Sequence, residues 1–348
     1  DTISGLADEP GNPNALIQSN GYNNKEVSLL KAGDKDSEGN AIMHSFWAPA
    51  IHEIDGRLTI LFMAGYGNTW SNGKSVYMQL KQDADGHDLD PADPDNWTVP
   101  TPIYRNDASL LNGNKQLAAT ASGGVGMSLD MTYFQDADGR SYYAWQQLGA
   151  TYIAKMDPKD PAHVTSSPVR IVTPEYAWNA AIAEGPNVTL RDGKLYLMFS
   201  GSGVGKTYTT GLAVADASGT DLTDPASWTV LNYPIQKSGP FNGEMQLGTG
   251  HGMWSEDEDG NQIYVFHAYA TKNLGSVNAA GRDMFVRRVH WAADGMPVFD
   301  MSSSEELASK TVSVTVKVAD DTVTVDKTDL SKALASAKQL RESDYTAA

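Results

Sequence analysis

Two carboxylic acids, a histidine and a tryptophan stand at one repeated place in this chain. Asp55-Gly56, Asp138-Gly139, Asp192-Gly193 and Asp259-Gly260 each lead into an apolar, alternating stretch, and eight residues before the four aspartates stand Trp47, Asp130, Glu184 and His251. Breaking a glycosidic bond requires a protonated acid, because the leaving oxygen must take a proton while positive charge develops on the sugar. Glu184 has the setting for it, with apolar Ala181-Ile182-Ala183 before it and a bend at Gly185-Pro186 after it. Apolar flanks and a nearby negative charge disfavour ionisation, and Asp130 would be that charge. His251, between Gly250 and Gly252, could hold a water network by hydrogen bonding or help to hold a hydrated calcium ion. Trp47 could offer a flat face to a sugar ring or simply pack.

These residues need elements that bring them together. Asp-Gly tolerates the positive φ of tight hairpin turns, and the intervals between the four turns leave room for about four strands each. Asp93-Pro94-Asp95-Asn96-Trp97 and Asp224-Pro225-Ala226-Ser227-Trp228 each precede Thr-Val, as outer-strand corners would. Helical periodicity is nearly absent from residues 40 to 300. The expected fold is all-β, with four propeller blades; a sandwich is the alternative. In a propeller the first strand of each blade lines the axis, so equivalent positions converge at one end of the channel.

The chain has 348 residues and 41% hydrophobic content, enough for a sizeable core. It contains no cysteine, which excludes disulfides, thiolate metal sites and a cysteine nucleophile. A formal charge of −17 repels phosphate backbones but not a neutral sugar polymer, so nucleic acid is not an expected partner. No apolar run is long enough for a spanning helix, and the opening Asp1-Thr2-Ile3-Ser4-Gly5 has no leader character. The expectation is a processed or excised segment. Ser200 to Thr207 imitates a phosphate-binding loop, yet that motif needs glycine at Ser200 and a helix afterwards, whereas Tyr208 to Ala215 reads as a strand. Asp34 to Gly39 imitates a calcium loop, but its twelfth position is Ser45 and no helices flank it, so a polar turn is expected.

Four segments, in this order and spacing, resemble glycoside hydrolase family 43 over roughly residues 40 to 300. They are Phe46-Trp47-Ala48-Pro49-Ala50-Ile51-His52, Ser128-Leu129-Asp130, Ala183-Glu184-Gly185-Pro186, and Gly250-His251-Gly252 with Tyr264-Val265-Phe266-His267-Ala268. Gly281-Arg282 and Arg288-Val289-His290-Trp291 are similar to its closing segment. The resemblance implies a five-bladed β-propeller and an inverting, exo-acting glycosidase of the α-L-arabinofuranosidase kind, with β-xylosidase, arabinanase and galactan-directed enzymes as near relatives. It implies Glu184 as general acid, Asp130 as the residue that tunes and orients it, Trp47 and Arg282 as substrate-binding residues, and His251 at the channel centre, where a structural calcium could sit; no cofactor is required. The partner would be an arabinose-containing oligo- or polysaccharide. A third acid, the general base, belongs to the family's first blade; residues 1 to 46 show no hairpin of the right pattern, so this blade is expected to be incomplete and the base to lie upstream of residue 1. Ala50 stands where the family usually has glutamate. The alternative is therefore a propeller that binds carbohydrate without cleaving it.

The domain boundaries expected are 1–300 for the propeller, 301–325 for a linker with a strand at Lys310 to Val318, and 326–348 for a helical start. In the last, Leu330, Leu334, Ala337 and Leu340 fall at helical spacing with Asp329 as the cap. This tail resembles the opening of a FIVAR repeat, which implies a secreted or surface-attached protein of Gram-positive type with further domains.

Overall fold

The computed structural model describes residues 29–42, 44–66, 72–112, 127–270, 281–309 and 328–339. Four sheets follow one another along the chain. The first holds β1 (His44–Ile54), β2 (Arg57–Gly65), β3 (Gly73–Gln79) and β4 (Thr101–Pro102). The second holds β5 (Tyr104–Arg105), β6 (Leu129–Gln135), β7 (Ser141–Gln147), β8 (Ala150–Asp157), β9 (Asp160–Val164) and β10 (Val169–Val172). The third holds β11 (Ala183–Arg191), β12 (Lys194–Gly201), β13 (Thr209–Asp216) and β14 (Thr229–Val230), and the fourth β15 (Gly239–Phe241), β16 (Glu244–Glu256), β17 (Gln262–Ala270) and β18 (Asp283–Arg288). A short ladder of β19 (His290–Trp291) and β20 (Pro297–Val298) comes after them. The fold is all-β and of the propeller type, as the repeat predicts.

The period of two explains how the sheets stack. Tyr143 and Trp145 of β7 pack with Ile54 and Leu61 of the first sheet, while Tyr142 and Ala144 pack with Leu195, Leu197 and Phe199 of the third. Tyr196 and Met198 of β12 turn the other way, onto Tyr264 and Phe266 of the fourth. Central strands are thus buried on both faces, and β7 has no exposed residue. Truncating such a fully buried ring, Phe199→Ala for example, costs about 3–5 kcal/mol. The far face of the first sheet (Ile60, Phe62, Val76) is covered by Leu30 and Ile42, from the segment ahead of β1. On the far side of the fourth sheet, Met284 and Val286 are exposed. Most of the expected first blade, residues 1–28, lies outside the described residues.

Two expectations about turns need correction. Asp55-Gly56 and Asp192-Gly193 are two-residue turns with positive φ at both positions, closing Ile54↔Arg57 and Arg191↔Lys194. Asp138-Gly139 and Asp259-Gly260 sit in wider loops, 136–140 and 257–261. There Asp136 and Asp257 accept from two backbone N–H groups each, and only the glycine has positive φ. Asp36 makes the same arrangement with Glu38 and Asn40, so the calcium-loop mimic is a polar turn. Both Asp-Pro corners form one 3-10 turn capped by Asp93 or Asp224, and the tryptophan indole N–H donates to Pro91 O or Leu222 O. After the second corner Thr229-Val230 is a strand, but after the first the strand is Thr101-Pro102, not Thr98-Val99.

In the tail, α1 (Ser303–Ser309) falls within the expected linker, held by Glu306 Oε1 at 2.8 Å from His290 Nε2 and by Ser303 N–H donating to Asn242. The helix α2 (Thr328–Gln339) forms where the leucine spacing predicts. It starts at Thr328, so Asp329 lies inside its first turn rather than capping it. The strand expected at 310–318 and Leu340 lie outside the described residues.

Candidate active site

Each innermost strand breaks its register, β6 and β11 once and β1 and β16 twice, and in each a residue of positive φ sits in a break: Ala48 in β1, Asp130 in β6, Gly185 in β11 and His251 in β16. Such bulges re-aim side chains beside functional sites. They also correct the eight-residue count. Aligned on the bulge, Trp47 and Glu184 are equivalent, and Asp130 and His251 are equivalent one residue further on. Counting from Asp-Gly hid this offset because the two turn types place the aspartate differently. All four side chains still reach one cavity of about 730 Å³, together with Arg282.

Glu184 is buried and accepts a hydrogen bond at 2.6 Å from the Tyr208 hydroxyl. Burial pushes its pKa up, and the charge of Asp130 pushes it further, against weaker opposing effects of His251, Tyr208 and Arg282. Asp130 is buried too, and burial raises it to about 7 although the Gly185 N–H donates to its Oδ2 at 2.9 Å. Its Oδ1 is buried without a hydrogen-bond partner and lies 3.6 Å from His251 Nε2.

The Tyr208 oxygen is also 3.1 Å from His251 Nδ1. A hydroxyl has one proton to give. If it goes to Glu184, Nδ1–H of His251 donates to Tyr208, and Nε2 turns a lone pair towards Asp130 Oδ1. Burial lowers the His251 pKa, which favours the neutral ring that this arrangement requires. The two acids are therefore joined through Tyr208 and His251 and share protons as a coupled pair. On the other side Arg282 Nη1 lies 2.9 Å from His267 Nε2, and burial pushes His267 down to about 3, leaving that nitrogen free to accept. The His267 ring stacks on Tyr208 at 5.5 Å.

Trp47 is 39% exposed on the cavity wall. Ala50 lies lower, on a second cavity of about 720 Å³ that shares Pro49 and Met253 with the first. The upper cavity is lined from the first sheet by Trp47 and from the fourth by His267 and Met284, with Arg282 just ahead of β18. Among the described residues the acid–histidine trio close enough to share an ion is the exposed turn of Asp83, Asp85 and His87, and His251 belongs to no such trio.

Residue-by-residue reading of the sequence missed Tyr208 and Ser200, whose Oγ accepts from the His251 N–H at 2.6 Å. Both lie in or next to the stretch that imitates a phosphate loop. The stretch does run into strand β13, as expected, and only cross-strand pairing of Ser200 with Glu184 brings it to the site.

Comparison with known proteins identifies the family. The chain is 29% identical over 266 residues to an extracellular exo-α-(1→5)-L-arabinofuranosidase of Streptomyces avermitilis, covering 73% of this chain and 49% of the relative. It is 29% identical over 267 residues to α-L-arabinofuranosidase 43 of Humicola insolens, with the same coverage, 73% and 49%. The chain thus spans about half the length of these curated relatives. An α-L-arabinofuranosidase structure from Lactobacillus brevis superposes with a TM-score of 0.60 at 25% identity, over 75% of this chain and 80% of that one. A thermostable family-43 glycoside hydrolase, at 19% identity and a TM-score of 0.56 over 74% and 76% of the two chains, shares the fold. Residues 20–297 match the model of glycosyl hydrolases family 43, and the chain belongs to that family.

Proposed function

We propose that this protein is an inverting exo-α-L-arabinofuranosidase that removes arabinofuranosyl residues from plant polysaccharide side chains. One observation carries the reading: a buried carboxyl, Glu184, is held by Tyr208 and has its protonated form favoured by burial and by Asp130. Glu184 gives its proton to the leaving oxygen as positive charge grows on the sugar. Asp130 fixes the protonation and, through the Gly185 N–H, the position of the neighbouring strand. Arg282 and Trp47 bind the sugar from the cavity wall. The general base would belong to the family's first blade, and the exposed side chains of Met284 and Val286 on the fourth sheet suit a further blade.

A calcium ion at the channel centre is part of the same reading, in a structural role. Calcium takes six to eight oxygen ligands, so His251 would help to hold a hydrated ion through its waters, and Asp130 Oδ1, 3.6 Å from His251 Nε2, would meet those waters in its ionised form. No proton transfer passes through it. The name of the Streptomyces avermitilis relative, an extracellular enzyme, supports a secreted one here. We read residues 326–348 as the start of a FIVAR-like module in a larger Gram-positive surface protein.

The test is hydrolysis of arabino-oligosaccharides followed by NMR of the released anomer. Inversion by the wild type and its loss in Glu184→Gln are expected. Binding of arabinan without hydrolysis would instead establish the carbohydrate-binding alternative.

A further inference from the structure

The loop that leads into β11 carries two aromatic residues outside the cavity, Tyr176 and Trp178, in parallel planes 5° apart with ring centroids at 6.3 Å. Much of its construction serves to hold them. Asn179, fully buried, accepts from the Tyr176 N–H at 2.8 Å and returns its own N–H to Tyr176 O. The Trp178 indole N–H donates to Asn232 O at 3.0 Å. Its ring fills the space left by two glycines: a Cβ on Gly201 would come within 3.0 Å of it and one on Gly211 within 2.7 Å.

The same loop is tied to the site. Thr209 Oγ1 lies 3.3 Å from Trp178 O, and Thr209 follows Tyr208, the donor to Glu184. Gly201 pairs with Ala183, next to Glu184. The neighbouring exposed side chains are also apolar or aromatic: Leu148 (66% exposed), whose turn partner Gly149 abuts Ala181 O, and Tyr233 (52%), next to the Asn232 that holds Trp178. A purely structural tryptophan would not need Tyr176 laid over it with 38% of its surface in solvent.

We propose that Tyr176, backed by Trp178, is a binding platform for the sugar rings on the leaving-group side of the scissile bond. Flat apolar rings held rigidly are suited to the apolar faces of sugars, and this platform adjoins the strand that presents the acid. It rests on the glycosidase reading, because it is the general acid's side that faces the leaving group.

The experiment compares Tyr176→Ala, Tyr176→Phe and wild type on arabinopentaose and on methyl α-L-arabinofuranoside, whose leaving group has no ring to place on the platform. For Tyr176→Ala, kcat/KM on the pentaose should fall about fivefold, the loss of one ring contact, with the methyl glycoside unaffected and Tyr176→Phe close to wild type. Equal losses on both substrates, or none on the pentaose, would overturn the platform while leaving the glycosidase in place. If the wild type cleaves neither substrate the glycosidase reading fails, and electrophoresis through arabinan then judges the platform. Retardation that Tyr176→Ala abolishes sustains it, and unretarded wild type overturns it.

Discussion

Strands β6 and β11 each bring one acid to the site and each break register there, but they place the strain on different residues. In β11 the positive φ falls on Gly185, and Glu184 stays in extended backbone one residue earlier; in β6 Asp130 itself has the positive φ, at 58°. Glycine adopts such a conformation without steric cost, whereas aspartate does so less readily. The acid that must deliver a proton is thus on relaxed backbone with a hydroxyl partner, while the acid that sets the field is strained, buried and half unsatisfied. Buried groups of this second kind lower stability for the sake of function.

The largest effect should come from Glu184→Gln, which is expected to lower kcat on arabino-oligosaccharides by about 10²–10⁴-fold, the usual contribution of a general acid; steady-state hydrolysis measures it. Asp130→Asn should separate activity from stability. The native state keeps a proton on Asp130 up to about 7, while the unfolded chain releases it near 3.8. This group's stabilising contribution is complete below 3.8 and fades as the pH climbs to 7. The asparagine variant, lacking that titration, should be the more stable protein at pH 8 by about 1–3 kcal/mol, even though its hydrolytic rate falls. Urea unfolding at pH 4 and pH 8 would show the difference growing with pH, and a pH-independent difference would contradict the buried-acid account.

Gly185→Ala tests the other half of the contrast. It puts a Cβ 3.3 Å from the His251 ring at a φ of +61°, so a loss of about 1–2 kcal/mol is expected by chemical denaturation. Tyr208→Phe should act least. Its hydroxyl lowers the Glu184 pKa, so removing it should move the alkaline limb of the kcat/KM profile upward, by about half a unit for one hydrogen bond. A downward move would mean that the tyrosine accepts from a protonated Glu184.

The contrast between the two acids also shows how far the sequence could be read. Asp-Gly turns, apolar alternation and the Asp-Pro corners were enough for blades, for the innermost strands and for placing Asp130, Glu184 and His251 near the axis. The one-residue offset between the Glu184 and Asp130 positions was not legible, because two turn geometries share the letters Asp-Gly and differ in where the chain reverses. Tyr208 was equally hidden, since the residue just ahead of the third strand has no local mark for a side chain that crosses to the first.

Local chemistry by itself therefore determined the strands, the turns and the kinds of reactive groups, since propensity and period two act over a few residues. Only the tertiary structure decided which of those groups meet, which hold a proton and which rings remain in solvent. Burial and cross-strand distance depend on segments far apart in the chain, as when Tyr208 reaches Glu184 and Trp178 settles over Gly201 and Gly211.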